Sequence, residues 1–281
     1  MESRKPLAAF ALDDFEVRIG SATSLLRTIG GLYLRHHPAP VARATVLKLL
    51  SAANVSVGTA QTAITRLCER GLLAATGTTS KIEVTEAARA MFARGDRRIF
   101  TPRQMADADS WLLLSFSVPE SQRAARHQLR RHLLNLGGGL VNAGLWIFPE
   151  YLHGEVSEVL EALQLRNNAT LFTGQNPQYP ISAQQSAESW WNLTDLATRH
   201  QQFIANAEDL PVSGVPREDY ASFVRLIDSW RAIPYLDPGL PPQMLPAGWP
   251  GTESRLLFME RMQKLRPGAD DFAHSVLSAV D

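Results

Sequence analysis

Residues 54–71 read NVSVGTAQTAITRLCERG. Asn54–Gly58 has the composition of a turn, and the stretch from about Thr59 to Arg70 has the periodicity of a helix. Ala60, Ile64, Leu67 and Gly71 recur at spacings of three and four, which marks one buried stripe with Cys68 beside it. The opposite face carries Gln61, Thr62, Thr65, Arg66 and Glu69. A solvated helix of this length commonly shows Lys and Glu paired along its face. Here the face offers amide, hydroxyl and guanidinium groups, the chemistry that reads base edges in a major groove.

Upstream, Ser21 is a capping residue for a helix running to about His36, with Leu25, Ile29, Leu32 and Tyr33 as its stripe. Gly30 and Gly31 lie inside it and cost roughly 2 kcal/mol relative to alanine. Either another helix approaches closely there or the helix kinks. Pro38 and Pro40 break the chain. A second helix follows over about 42–53 with Val46, Leu49, Leu50 and Ala53 as its stripe. Helix, helix, turn, helix is the helix-turn-helix order.

Downstream, Gly71 stops the helix. Two short strands, about 72–75 and 81–85, flank Thr76-Gly77-Thr78-Thr79-Ser80. A hairpin in this place is a wing, and its hydroxyls and Lys81 suit phosphate or minor-groove contact. Glu86–Phe100 reads as a further helix bearing Arg89, Arg94, Arg97 and Arg98. Those arginines serve a solvated surface, pair with Glu86 and Asp96, or meet DNA or another domain.

Charge supports the same division. The chain of 281 residues is formally neutral, but residues 1–100 carry +6, residues 101–185 carry −1 and residues 186–281 carry −5. A basic N-terminal third on a neutral protein points to a polyanion meeting that third alone. Hydrophobic content of 45% is ample for packed cores. No run of about 18 apolar residues is present to span a membrane. The short apolar patch near the N-terminus is followed by Asp13 and Asp14 without a clear signal cleavage pattern, so the expected location is the cytoplasm. One cysteine excludes an internal disulfide framework.

After a polar linker, the order continues as strand (111–118), helix (about 120–136), strands (140–142 and 145–148), helix (about 152–165) and strand (170–173). This is the ferredoxin-like split βαββαβ unit. Helices are expected over about 183–207, 217–232, 253–264 and 270–280, with a proline-rich extended segment at 234–251. The expected architecture is α+β and multidomain. A winged helix-turn-helix fills residues 1–100, a ferredoxin-like domain serving as dimerisation unit or linker fills 101–180, and a helical C-terminal domain fills 181–281.

The chain resembles the PaaX-like repressors of phenylacetic acid catabolism. The resemblance runs from about Ser21 to the C-terminus. It rests on Thr62-Ala63-Ile64-Thr65-Arg66-Leu67, on Arg97-Arg98-Ile99-Phe100 and on Leu145-Trp146-Ile147. Its most specific part is Trp230-Arg231-x-x-Pro234-x-Leu236-Asp237-Pro238-Gly239-Leu240-Pro241, followed by Leu245-Pro246-x-x-Trp249-Pro250-Gly251. The resemblance implies a dimeric bacterial repressor with a winged helix, a middle domain like a small CRISPR-associated nuclease, and a helical C-terminal domain. It also implies an inducer such as phenylacetyl-CoA. This sequence has Gln61 where family members usually carry arginine, and His200 where a tyrosine is common.

The candidate DNA contacts are Ser56, Thr59, Gln61, Thr62, Thr65 and Arg66, with Thr78, Thr79 and Lys81 on the wing. Arg66 can bond a guanine bidentately and Gln61 an adenine; Arg66 can equally pair with Glu69 or Glu86. An aryl-CoA or other aromatic effector wants aromatic walls and cations, which Trp190, Trp191, His200, Arg231, Tyr235 and Trp249 supply. Core packing is the competing reading of the tryptophans. The row Arg123, Arg126, Arg130 and Arg131 is a further candidate for phosphates.

Two other classes compete. A metal-dependent nuclease needs a carboxylate on the first strand of the middle domain, and Trp111–Val118 has none, with Asp107 and Asp109 just outside. A non-DNA assembly protein would use the basic third to hold a protein partner. No catalytic residue, metal site or cofactor is expected. Cys68 reads as a buried, inert thiol. The expected partners are double-stranded DNA, an aromatic metabolite and a second copy of the chain.

Overall fold

The structure is a computed structural model that describes residues 18–76, 81–175 and 177–279. These residues form two compact units. One comprises residues 98–200 and 232–251; the other comprises 18–97, 201–231 and 252–279. Residues beyond 181 therefore contribute to both. The fold is mixed α and β with two small antiparallel sheets.

The second of these units contains the stretch read first. Helix α1 (Ala22–Leu32) starts at Ser21, whose hydroxyl accepts from Ser24 N. Strand β1 (Val41–Ala42) leads into α2 (Arg43–Ala52), and α3 (Val57–Glu69) follows a turn in which Asn54 takes φ 64°. Strands β2 (Leu73–Thr76) and β3 (Lys81–Val84) pair, and β1 adds to the far side of β3 to give the order β1-β3-β2. Helix α4 (Glu86–Phe100) comes next. Its Phe92 ring lies against Gly30 and Gly31, so close approach by another helix accounts for the two glycines. Helix α1 also ends at Leu32, short of the anticipated His36, and a single 3-10 turn covers Leu34–His36.

The core beneath α3 joins Leu26, Ile29, Val46, Leu49, Leu50, Ala60, Ile64 and Leu67, all buried. Each large aliphatic side chain so buried contributes about 1.5–3 kcal/mol. Helix α9 (Pro216–Trp230) and the 28-residue helix α11 (Gly251–Ser278) belong to the same unit from residue 252 onward. Trp230 stacks on Phe258 with centroids 4.6 Å apart, and Phe203 tilts against Trp230 at 5.0 Å. The sequence reading split α11 in two around Pro267. The helix is instead continuous, because Ser254, Phe258, Leu265, Ala269 and Ala273 form one fully buried stripe along it.

In the other unit, β4 (Trp111–Phe116), α5 (Arg123–Asn135), β5 (Gly139–Asn142), β6 (Leu145–Pro149), α6 (His153–Ala162) and β7 (Ala169–Gly174) occur in the split βαββαβ order. The sheet order β5-β6-β4-β7, antiparallel throughout, is that of the ferredoxin-like unit. One face packs Leu112, Leu114, Trp146 and Phe148 against Leu129 and Leu133 of α5 and Val156 and Leu160 of α6. The opposite face carries Trp111 and Ile147, covered by Trp191, Leu196, Leu240 and Met244.

The helix anticipated over 183–207 is two helices, α7 (Ala183–Trp190) and α8 (Leu193–Glu208). Trp191 is extended at φ −122° and ψ 148°, and its indole N–H donates to Gly137 O at 2.8 Å. The short helix α10 (Ile233–Leu236) then opens the proline-rich segment. That segment runs beside residues 103–105: Met105 N donates to Gly239 O at 2.8 Å, and the Gln104 amide donates to Leu240 O.

Candidate nucleic-acid interface

Helix α3 is built to show one face. Ser56 caps it, its hydroxyl accepting from Thr59 N at 3.4 Å and sharing a hydrogen bond with Thr59 Oγ1 at 2.8 Å. Ala60, Ala63, Ile64 and Leu67 are buried, whereas Gln61, Thr62, Thr65 and Arg66 are exposed. The Thr62 hydroxyl donates to Gly58 O at 3.1 Å and the Thr65 hydroxyl to Gln61 O at 3.2 Å. Their hydrogens are thereby spent on the helix, while oxygen lone pairs and methyl groups still face outward. The Gln61 amide and Arg66 guanidinium have no partner among the described residues, so the pairing of Arg66 with Glu69 or Glu86 does not occur.

Val57 was not singled out from sequence. It opens α3 at 56% exposure, an apolar surface beside the polar row. Its spacing of three from Ala60 and seven from Ile64 continues the buried stripe, so the sequence carries no sign of its exposure. On the hairpin, Lys81 is exposed and pairs in register with Thr76; Thr78 and Thr79 lie outside the described residues. Cys68 is half-buried, and burial pushes its thiol pKa up, opposed by the Arg43 charge.

Two side chains of α4, Asp96 and Arg98, form described ion pairs. Arg35 Nη2 meets both Asp96 oxygens at 2.8 Å. Arg98 is buried: it clamps Glu155 at 3.0–3.2 Å and donates to Pro234 O and Leu136 O, with Tyr235 under its guanidinium at 5.4 Å. It is a packing anchor of the ferredoxin-like unit rather than a surface cation.

Of the six aromatic and cationic effector candidates, Trp190, Trp191 and Trp249 pack into one apolar cluster and His200 meets Trp249, while Tyr235 and Arg231 are held elsewhere. Trp190 is half-buried between Tyr179 and Trp191, at 6.0 Å from each. His200 is buried, with Nε2 at 2.8 Å from Asp237 Oδ2 and Trp249 edge-on at 5.7 Å. Tyr235 sits on Arg98. Arg231 belongs to the other unit and is held by Asp228 and Ser24. None of the six lines either of two open clefts. One, of about 400 Å³, is bordered by Arg103, Asp109, Glu150, Tyr151 and Gln175. The other, of about 590 Å³, is bordered by Gly20, Asn54, Asp209, Glu218, Arg225 and Asp228. Asp109 Oδ2 accepts from Ala106 N at 2.9 Å, a turn hydrogen bond.

Residues 104–187 match the family described as PaaX protein central Cas2-like domain, and residues 191–275 match the PaaX-like protein C-terminal domain. The chain belongs to the PaaX-like family. This PaaX-like chain is 25% identical over 260 residues to the Transcriptional repressor PaaX of Escherichia coli (strain K12), covering 89% of this chain and 82% of that protein. Its fold is similar to that of uncharacterized protein Rv0674 from Mycobacterium tuberculosis, with a TM-score of 0.56 and 18% identity over 89% of this chain and 97% of that one. Both family matches begin after α3. The chemistry assigned to α3 in a PaaX-like chain therefore rests on its own exposed face.

Proposed function

We propose that the chain is a dimeric transcriptional repressor that binds a palindromic promoter site through a winged helix-turn-helix formed by residues 1–100. The observation that carries this reading is the exposed row Gln61, Thr62, Thr65 and Arg66 on a helix whose other side is buried. Amide and guanidinium groups without partners among the described residues, held on a helix, match adenine and guanine edges. Val57 adds an apolar contact suited to a thymine methyl. The similarity to a protein named as a transcriptional repressor supports the same reading.

Two α3 helices would meet half-sites about one helical turn (~34–36 Å) or a multiple apart. Release follows when an aromatic-catabolism metabolite, such as an aryl-CoA thioester, binds a dimer geometry that spaces the helices wrongly. Differential affinity for that geometry is required, since equal affinity for both states shifts nothing. The half-exposed Tyr179–Trp190 pair offers aromatic surface for such a ligand. A footprint on the gene's own upstream DNA, with and without phenylacetyl-CoA, tests the proposal. A protected palindrome lost on adding the thioester supports both repressor and effector. Protection that persists removes that effector. Absence of any protected site removes the repressor reading.

A further inference from the structure

Helix α5, in the Cas2-like region, reads RAARHQLRRHLLN and contains no acidic residue. Leu129 and Leu133 are buried on its inner side. Arg123, His127 and Arg131 recur every four residues on the exposed side, so they form one line along the helix. The rise of 1.5 Å per residue makes that line about 12 Å long.

The only carboxylate facing this helix among the described ion pairs is Glu120, just before it. Glu120 contacts Arg126 at 2.9 Å and Arg123 at 3.9 Å, and is itself 71% exposed on its side chain. Arg130 and Arg131 have no carboxylate partner among the described residues. Arg130 is half-buried with its guanidinium 6.0 Å from the Trp146 ring centre, which restrains the side chain at the edge of the line. His132 contributes little charge: burial pushes its pKa down, and the neighbouring Arg131 pushes the same way.

We infer that the outer face of α5 is a second duplex-DNA contact, in which Arg123, Arg130 and Arg131 hold backbone phosphates outside the sequence-reading surface of α3. The partner class follows from shape and charge. A compact phosphorylated ligand needs donors converging on a concavity, and none of these arginines lines either cleft described above. Arginines at the two ends of a line about 12 Å long on a convex helix, with His127 Nε2 between them accepting from Arg123 Nε at 3.3 Å, fit an extended polyanion, whose charges repeat at ~3.4 Å of axis per strand. Arginine forks match phosphate oxygens geometrically. Such contacts add affinity and fix orientation without carrying sequence information. The inference rests on the duplex-binding reading proposed above.

The test measures full-length protein on a duplex of its own upstream DNA and on a random duplex of equal length, over a salt series. Wild type is compared with the double variant Arg123→Ala/Arg131→Ala and with Arg123→Lys/Arg131→Lys. Both side chains are exposed, so neither change touches Leu129 or Leu133; a thermal melt confirms intact folding. The expected result is a log–log salt slope reduced by about one unit per lost contact in the alanine pair, equally on both duplexes. The lysine pair restores it. An unchanged slope and affinity in the alanine pair overturns the inference while leaving α3's role standing. Loss of the response to phenylacetyl-CoA with an unchanged slope also overturns it, assigning the face to the effector's phosphates. Absence of salt-dependent duplex binding in wild type overturns both readings at once.

Discussion

Ser24 and Asp228 stand 204 residues apart in the chain, yet the Ser24 hydroxyl donates to Asp228 Oδ1 at 2.5 Å. The same carboxylate accepts from Gly20 N at 2.8 Å, Thr28 Oγ1 at 3.0 Å and Arg231 Nε at 3.2 Å. Asp228 is 1% exposed, so this is a buried carboxyl group whose oxygens have hydrogen-bond partners. The network ties the start of α1 to the end of α9. Removing the carboxylate takes the acceptor from three donors and leaves the Arg231 guanidinium with the Ser24 hydroxyl but without its described ion pair. Asp228→Ala should therefore lose about 3–5 kcal/mol of stability, read as a fall in the urea midpoint at unchanged slope. A midpoint equal to wild type would mean that the network contributes nothing net.

Gly239 holds the proline-rich segment in place by lacking a side chain. Its φ is +66°, and a Cβ there would collide with the carbonyl oxygen of Arg103. The left-handed conformation costs a non-glycine residue about 1–2 kcal/mol, and a backbone atom cannot swing aside as a side chain can. Gly239→Ala should destabilise by about 2–4 kcal/mol, combining that strain with overpacking. It should also speed amide exchange at Met105, whose N–H donates to Gly239 O. Slow exchange at Met105 in the variant would show that the segment had shifted without detaching.

How far the sequence reached follows from which forces act locally. The stripe Ala60–Ile64–Leu67 announced α3 because a 3.6-residue period is written in neighbouring residues. The βαββαβ order was legible for the same reason. Strand β1 escaped notice because two residues carry no period, and its pairing of Val41 with Ile82 is a long-range fact. The break at Trp191 has no proline or glycine to mark it. It is driven by the indole reaching Gly137 O, 54 residues away. Pro267 misled in the other direction: a local breaker lost to a continuous buried stripe. His200 shows the limit for the candidate site, since its residue type was visible but its partner Asp237, 37 residues on, was not.

Cys68 is half-buried beside the core of α3, with its thiol pKa raised chiefly by burial. A raised thiol pKa leaves less thiolate at neutral pH, and thiolate is the reacting species. Alkylation by iodoacetamide at neutral pH should be slower than that of a free cysteine, and urea should abolish the difference. Rates that match in the folded and unfolded chain would place the sulfur in contact with solvent.

The exposed row of α3 makes separable predictions because its members differ in chemistry. Arg66 and Gln61 have exposed side chains without partners among the described residues, so replacing either with alanine removes no hydrogen bond or ion pair described there. Each should weaken binding to the protected site by ~1–3 kcal/mol and loosen discrimination at one base position, while the random duplex is bound nearly as before. Val57→Ser should act similarly, but at a thymine, with little change in salt slope because no charge is lost. Lys81, exposed on the hairpin, should behave oppositely. Its alanine variant should weaken both duplexes alike and lower the slope by about one unit. Competition binding of the four variants against single-base changes in the site measures all of this. If Arg66→Ala and Lys81→Ala gave the same uniform loss, Arg66 would be a phosphate contact, and sequence reading would fall to Gln61, Thr62 and Thr65.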